Sequence, residues 1–263
     1  MHRYYINLLF ITVAALLSAS CGAYHPQMLD MPLIQHKGDG HLDAGLSTAG
    51  GYSIAAVNAS ASYGLTNHIA VQAAGNTDFG SNSYLQGALG WFKPVGEHFV
   101  VEIYAGYGHG QGFSLGNDYG VSINNRNDYV NAPRQSVSIP DNEYMHDGRY
   151  SQYFVQGNAG FAALARGHID LGMGIKIGSM AISYTETDDY YIDHTTLNGK
   201  QATIVSPDIT RQNHTYPIWE QQIMLRVGGE RLKYVGRIGL MIIPGADFDY
   251  TPISVSSGIN FRF

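Results

Sequence analysis

The segment Ile169–Gly178 reads IDLGMGIKIG and alternates strictly between two kinds of side chain. Its odd-numbered positions carry Ile, Leu and Met, whereas its even-numbered positions carry Asp, Lys and Gly. Successive side chains of a β-strand point to opposite faces, so the pattern predicts a strand with one apolar face and one small or polar face. The chain ends on the same alternation, because Ile253–Phe263 reads ISVSSGINFRF. These two stretches indicate an all-β fold.

Eight further segments repeat the alternation from about Gly40 onward, which brings the predicted number of strands to ten. Their apolar faces begin near Leu42, Ala55, Ile69, Leu85, Val101, Tyr153, Trp219 and Leu232. A membrane barrel needs apolar side chains toward lipid and small or polar ones toward its lumen, over about 9–11 residues per strand. We therefore expect residues 39–263 to form a single antiparallel up-and-down transmembrane β-barrel of about ten strands.

The predicted connections alternate in length. If the N-terminus is periplasmic, the periplasmic turns near residues 65–67, 94–97, 166–167 and 228–230 are all short. The two long connections, Gly112–Arg149 and Thr187–Thr215, both fall on the outer side. Short periplasmic turns, longer outer loops and an even strand count are typical of outer-membrane barrels, and the even count also predicts that both termini are periplasmic.

A soluble β-barrel or sandwich is the alternative fold. Its apolar faces would point inward, and Lys176, Arg231, Lys233 and Arg237 would then lie in solvent. That fold accounts for the alternation of side chains. It accounts neither for the alternation of loop lengths nor for the terminal Phe263.

The N-terminus has the order of an export signal. Arg3 is basic, Ile6–Leu17 is mostly apolar, and the small residues 18–20 precede Cys21. This order predicts a signal peptide over residues 1–20. Two interpretations of Cys21 remain open: lipidation after cleavage of a lipoprotein signal, or ordinary cleavage that leaves a free thiol. Residues 21–38 are predicted to be a periplasmic linker.

Two stretches resemble known proteins. Val255–Phe263, with Ile259 and Phe261 on one face, resembles the C-terminal assembly signal of outer-membrane barrels. The N-terminal stretch resembles that of Bacteroidota barrel lipoproteins, which usually have an aliphatic residue where this chain has Ser18. The residues that carry this second resemblance are Cys21, Tyr24, Pro26, Pro32 and Leu33. The resemblance implies outer-membrane lipid and the barrel-assembly machinery as partners, and a bacterial outer-membrane location.

The amino-acid composition limits the partners and cofactors that the protein can be expected to have. The formal net charge of -6 disfavours a nucleic-acid partner, which usually requires a basic face. A single Cys excludes an intrachain disulfide. The 11 His residues are scattered without the close spacing of a zinc site, so we predict no metal and no cofactor.

Charged side chains are expected on the lumen face. They are Asp43, Glu102, Asp170, Lys176, Glu220, Arg226, Arg231, Lys233, Arg237 and Arg262. In a narrow lumen such charges need partners, because an isolated desolvated charge is costly. The sequence therefore favours a salt-bridge network that plugs the barrel. A thin porin-like conduit that favours small anions is the alternative.

The two long loops are rich in Asn, Asp and Tyr, residues that suit surface recognition. A structural or surface-recognition role is the leading functional hypothesis. Omptins, ten-stranded membrane proteases, place acidic and His residues at their outer rim, where Asp78, His109, Asp188, Asp193 and His194 are the only counterparts. Because this set is incomplete, we predict no enzyme and assign no catalytic residue.

Overall fold

The computed structural model describes residues 28–48, 55–78, 82–117, 143–197, 200–246, 250 and 252–263. The predicted signal peptide and Cys21 lie outside these residues. Within them, no helix is both long and apolar enough to cross a membrane.

Ten strands, β1 to β10, form the structure. They are Gly40–Thr48, Ala55–Gly64, Ile69–Thr77, Ser83–Val95, Phe99–Asn117, Glu143–Ala163, Ile169–Leu197, Lys200–Gly228, Leu232–Ile242 and Ile253–Arg262. Each strand pairs antiparallel with its neighbours in the chain, and β1 pairs with β10 to close the barrel. The prediction of an all-β, ten-stranded, up-and-down barrel is confirmed.

The apolar faces of the strands point outward. In β7, Ile177 is 56% exposed whereas the adjacent Lys176 is fully buried. The same contrast holds in β9, where Ile238 is exposed and Arg237 is buried. This arrangement is the reverse of a soluble barrel or sandwich, in which apolar side chains fill the centre and charged ones face water.

The two ends of the barrel differ. At one end, here called the terminal end, the Gly40 N–H donates to the Phe263 carbonyl at 2.9 Å, and the Phe263 N–H donates to the Gly40 carbonyl at 3.0 Å. The short turns after β2, β4, β6 and β8 lie at this end. The opposite end is called the hairpin end, because β7 and β8 run on past the barrel there and pair as far as Leu197 and Lys200.

The prediction of the second long loop was wrong. Residues 187–215 are not a loop, because β7 and β8 are 29 residues each and remain paired through them, with one register shift between Thr187 and Asp189. Likewise β5 extends to Asn117 and β6 begins at Glu143, so both ends of the predicted loop 112–149 are strand. Ladder hydrogen bonds join backbone groups and need no apolar face, so a polar ribbon escapes a search for apolar alternation.

Aromatic pairs lie at both borders of the outward apolar band. Near the terminal end, the Phe99 and Phe161 rings have centroids 5.1 Å apart, and toward the hairpin end the Tyr107 and Tyr153 centroids are 5.0 Å apart. Along β5 the two pairs are separated by about 27 Å at ~3.4 Å per residue. With a strand tilt of ~40°, the band is about 20 Å tall.

Candidate functional site

A segment of the chain that precedes β1 occupies the inside of the barrel. Residues Met28–Ile34, here called the lumen segment, are all buried. The Leu29 N–H donates to Oε1 of Gln222 on β8 at 3.0 Å, and the Ile34 N–H donates to Oε1 of Glu102 on β5 at 2.8 Å. Because β5 and β8 belong to different parts of the barrel wall, a segment bonded to inward side chains of both lies in the lumen.

The lumen segment runs lengthwise. Met28 lies with Asn76 and Gln86, near the hairpin-end limits of β3 and β4. Ten residues later, the Gly38 N–H donates to the Gly64 carbonyl at 2.8 Å, where β2 finishes at the terminal end. The chain therefore descends from the hairpin-end half of the lumen to the terminal mouth before β1 begins.

Inward glycines make room for the lumen segment. A Cβ at Gly174 would lie 3.1 Å from Sδ of Met31, and one at Gly172 would lie 3.7 Å from both Met31 Sδ and Leu33 Cδ1. A Cβ at Gly160 would come within 2.9 Å of Leu33 Cδ2. The small residues that the alternation places on the lumen face thus form the cradle of this segment.

The sequence-based interpretation of residues 21–38 as a linker missed this arrangement. The segment reads MLDMPLI, and five of its seven residues are apolar. Linkers are typically rich in Gly, Ser, Pro or charged residues, so this density of apolar side chains was the signal available in the sequence.

Three charged side chains form the centre of the lumen network. Nη2 of Arg226 lies 3.0 Å from Oδ2 of Asp43, and Nη2 of Arg237 lies 2.6 Å from the same oxygen. Arg226 also donates through Nη1 to the Pro32 carbonyl at 3.4 Å. One carboxylate therefore pairs two guanidinium groups, and one of these is also bonded to the lumen segment.

Other predicted lumen charges form separate pairs. Nζ of Lys233 lies 2.6 Å from Oδ1 of Asp170, and Nζ of Lys176 lies 2.9 Å from Oε2 of Glu220. The Lys176 ammonium also lies 5.2 Å from the ring centroid of Phe154, within cation–π range.

Glu102 has no cationic partner among the described residues and is held by hydrogen bonds. Its Oε2 accepts from Nδ2 of Asn158 at 2.9 Å, while its Oε1 accepts the backbone N–H of Ile34. Asn158 and Gln156 also donate to the Asp30 carbonyl, at 3.2 and 2.7 Å. The polar lumen face thus binds the backbone of the lumen segment at several points.

Two predicted lumen residues lie elsewhere. Arg231 is exposed in the turn between β8 and β9, so its assignment to the lumen was wrong. The alternation would place Arg231 on the lumen face of β9 together with Lys233 and Arg237, but that strand begins only at Leu232. Arg262 lies at the terminal mouth, where its Nη2 is 3.1 Å from Oδ2 of Asp39 and its side chain is partly exposed. The other eight predicted lumen charges are buried.

An apolar cluster fills the lumen toward the hairpin end. It consists of Tyr84, Tyr150, Met180, Ile182, Tyr216, Ile218, Met241 and Ile243. Next to it, the Tyr84 hydroxyl donates to Oε1 of Gln152 at 2.8 Å. Gln152, Gln156, Lys176, Glu220 and Arg226 are all fully buried, so these polar side chains are shielded from bulk solvent.

The described candidate residues of a rim protease do not come together. Asp78 is buried, and its carboxylate accepts the N–H of Asn82 at 2.8 Å within the turn between β3 and β4. His109 points outward from β5, with Nδ1 3.1 Å from Oγ of Ser151. The side chains of Asp188, Asp193 and His194 lie outside the described part of the structure. No group of three potential metal ligands occurs among the described residues.

Comparison with known proteins adds no relative. No family model matches the chain, and no curated protein matches it either. The functional assignment therefore depends on the geometry described above.

Proposed function

We propose that the protein is a bacterial outer-membrane β-barrel, exported by residues 1–20 and anchored by a lipid on Cys21. The exposed apolar band supports the membrane assignment, since its height of about 20 Å is close to the ~25 Å band of outer-membrane barrels. In this placement the short turns and Phe263 face the periplasm. The C-terminal strand, with Val255, Ile259 and Phe261, is then the segment presented to the barrel-assembly machinery.

The proposed role is structural or surface recognition at the hairpin end. The projecting part of β7 and β8 supports it, because beyond Thr185 the two strands pair only with each other among the described residues. From Glu186 to Leu197 this ribbon extends for about 40 Å at ~3.3 Å per residue. Its sequence contains Tyr190 and Tyr191 among Asp and Thr residues, a composition that suits contact with carbohydrate or protein surfaces.

Transport is the weaker proposal. A conduit for small solutes needs continuous water-filled space, and barrels of about eight strands are already filled by their own side chains. Here the lumen holds the lumen segment, paired charges and an apolar cluster. We therefore expect no stable channels from the purified protein in planar bilayers, and their appearance would favour the pore over recognition.

The test of recognition removes the ribbon and keeps the barrel. Thr187 pairs with Ile209, so residues 188–208 can be replaced by an Asn-Gly turn between facing strands. The intact protein in detergent should bind glycans that are immobilised on an array. The shortened variant should give a binding signal at least about tenfold lower. Heat-modifiable gel migration of both proteins is the control for folding. Equal glycan binding by the two folded proteins, or no binding by either, would contradict glycan recognition by the ribbon.

A further inference from the structure

The outward face of β5 to β8 changes character just beyond the Tyr107–Tyr153 pair. Toward the hairpin end, most of the next outward residues are polar or basic, and Ala181 is an apolar exception. The polar and basic residues include His109, Ser151, Arg149, Ser183, Asn213, Thr215 and Arg211. Arg149 and Arg211 are exposed, and Asp147 follows Arg149 at the next position of the same strand face.

These side chains form one connected surface. Ser151 Oγ accepts from the Tyr107 hydroxyl at 3.0 Å and lies 3.1 Å from Nδ1 of His109. One row further along, Ser183 pairs with Arg149 across the β6–β7 ladder, and its Oγ accepts from Nε of Arg211 at 3.0 Å. The guanidinium of Arg211 is thus held beside the strand position that faces Arg149.

A cleft accompanies this basic surface. Its volume is about 320 Å³, and its lining includes His109, Arg149, Ser151, Ser183 and Asn213. The cleft thus brings together the guanidinium of Arg149, imidazole, hydroxyl and amide groups, all of which can donate to phosphate oxygens. Arg211 adjoins the cleft through its hydrogen bond to Ser183. Arginine is well suited to binding phosphate, because its planar guanidinium can donate two parallel hydrogen bonds to one phosphate.

We propose that this surface binds the phosphate group of a lipid headgroup in the outer leaflet. The inference rests on the proposed membrane placement, in which tyrosines mark the lipid–water interface. Arg149 lies four residues beyond Tyr153, about 13 Å along the strand and about 10 Å above the band at a tilt of ~40°. That height is the level of phosphorylated headgroups, while the acyl chains of the same lipid lie against the apolar band.

The experiment measures phosphorylated lipid that co-purifies with the full-length barrel. Native mass spectrometry is applied to the wild type, to the double variant Arg149→Gln/Arg211→Gln, and to a charge-matched control, Lys93→Gln/Arg166→Gln. Lys93 and Arg166 are exposed near the terminal end, far from the cleft. We expect the wild type and the control to retain bound phospholipid or phosphoglycolipid, and the double variant to lose it about tenfold.

Two further measurements distinguish a failure of the lipid-binding proposal from a failure of the membrane-barrel proposal. Heat-modifiable migration and recovery in the outer-membrane fraction report on the proposed function independently of lipid binding. If all three proteins are inserted and retain lipid equally, the phosphate site is overturned and the membrane barrel stands. If inorganic phosphate alone displaces the lipid or binds the lipid-free barrel with the same dependence on Arg149 and Arg211, the site is for free anions and the lipid assignment is overturned.

Discussion

Asp43 is the residue at which two buried arginines of the barrel meet. Its carboxylate pairs Arg226 and Arg237, which are 0% and 4% exposed, and Arg226 in turn donates to the backbone of the lumen segment. A buried ion pair contributes little over an apolar replacement, but removing one partner leaves an uncompensated charge. Loss of the Asp43 carboxylate should therefore destabilise the fold.

Asp43→Asn is expected to lower the free energy of unfolding by about 3–5 kcal/mol, because two guanidinium groups lose their shared counter-charge. Urea titration of the protein folded in phospholipid vesicles measures this change. Arg262→Gln is the matched control, since its pair with Asp39 is partly exposed and should contribute about 1 kcal/mol or less. Equal losses in the two variants would contradict a buried Asp43 network.

Gly174 of β7 lies against the lumen segment. A Cβ there would lie 2.9 Å from Oδ1 of Asn158 and 3.1 Å from Sδ of Met31, so Gly174→Val is expected to displace the lumen segment. Overpacking of this kind costs about 1–3 kcal/mol. Gly157→Val, on the outward face of β6 with no atom within 4 Å of its Cβ position, is the control. Urea titration in vesicles should show a loss for Gly174→Val alone, and an equal effect of both variants would refute the packing described.

At the scale of elements, side-chain alternation predicted the strands of the barrel wall but not their full lengths. Ile169–Gly178 alternates because one face meets an apolar surrounding and the other a crowded polar lumen. Beyond Thr185, β8 is the only described strand that pairs with β7, and the barrel wall no longer imposes either constraint there. Backbone pairing then continues without a pattern that the sequence displays, which is why the ribbon was predicted as a loop.

The same contrast predicts the order of amide hydrogen exchange. Residues 171–180 of β7 are paired on both sides, by β6 and β8, whereas residues 186–197 have only β8 as a partner among the described strands. A two-stranded ribbon is marginally stable by itself, so its amides should exchange earlier than those of the barrel wall. Mass spectrometry of deuterium uptake checks this. Protection of residues 186–197 equal to that of the wall would indicate a further element packed on the ribbon.

For the whole molecule, the sequence predicted the closed barrel, and eight of its ten predicted lumen charges are buried, but it did not predict the lumen segment. Strand faces are local properties that a period of two reveals. The position of Met28–Ile34 depends on contacts with Glu102, Gln156 and Gln222, which lie far away in sequence. Only the density of apolar side chains in the segment hinted at burial, and it gave no indication of where.

The direction of the lumen segment gives a prediction about topology. Met28 lies in the hairpin-end half of the lumen, and the lumen between it and the terminal end is occupied by the segment itself and by buried side chains. The even strand count predicted a periplasmic N-terminus, whereas this course predicts the outer side. A lipid on Cys21, at most about 25 Å of extended chain from Met28, would then reach the outer leaflet.

An epitope tag inserted after Tyr24 tests this topology. On intact cells the tag should bind its antibody, as a tag in the turn between β7 and β8 should. A tag in the turn between β2 and β3, at the terminal end, should bind its antibody only after the outer membrane is permeabilised. Detection of the Tyr24 tag only after permeabilisation would show that the N-terminus is periplasmic.

The apolar outer face of the barrel is expected to meet lipid, and the two tryptophans of the chain report on this contact directly. Trp91 and Trp219 are 43% and 46% exposed on that face. The measurement is tryptophan fluorescence of the full-length protein reconstituted in vesicles with bromine on the acyl chains, compared with unbrominated vesicles. We predict strong quenching by the brominated lipid and little by aqueous acrylamide. Quenching by acrylamide with no response to bromine would place both rings in water and contradict the membrane barrel.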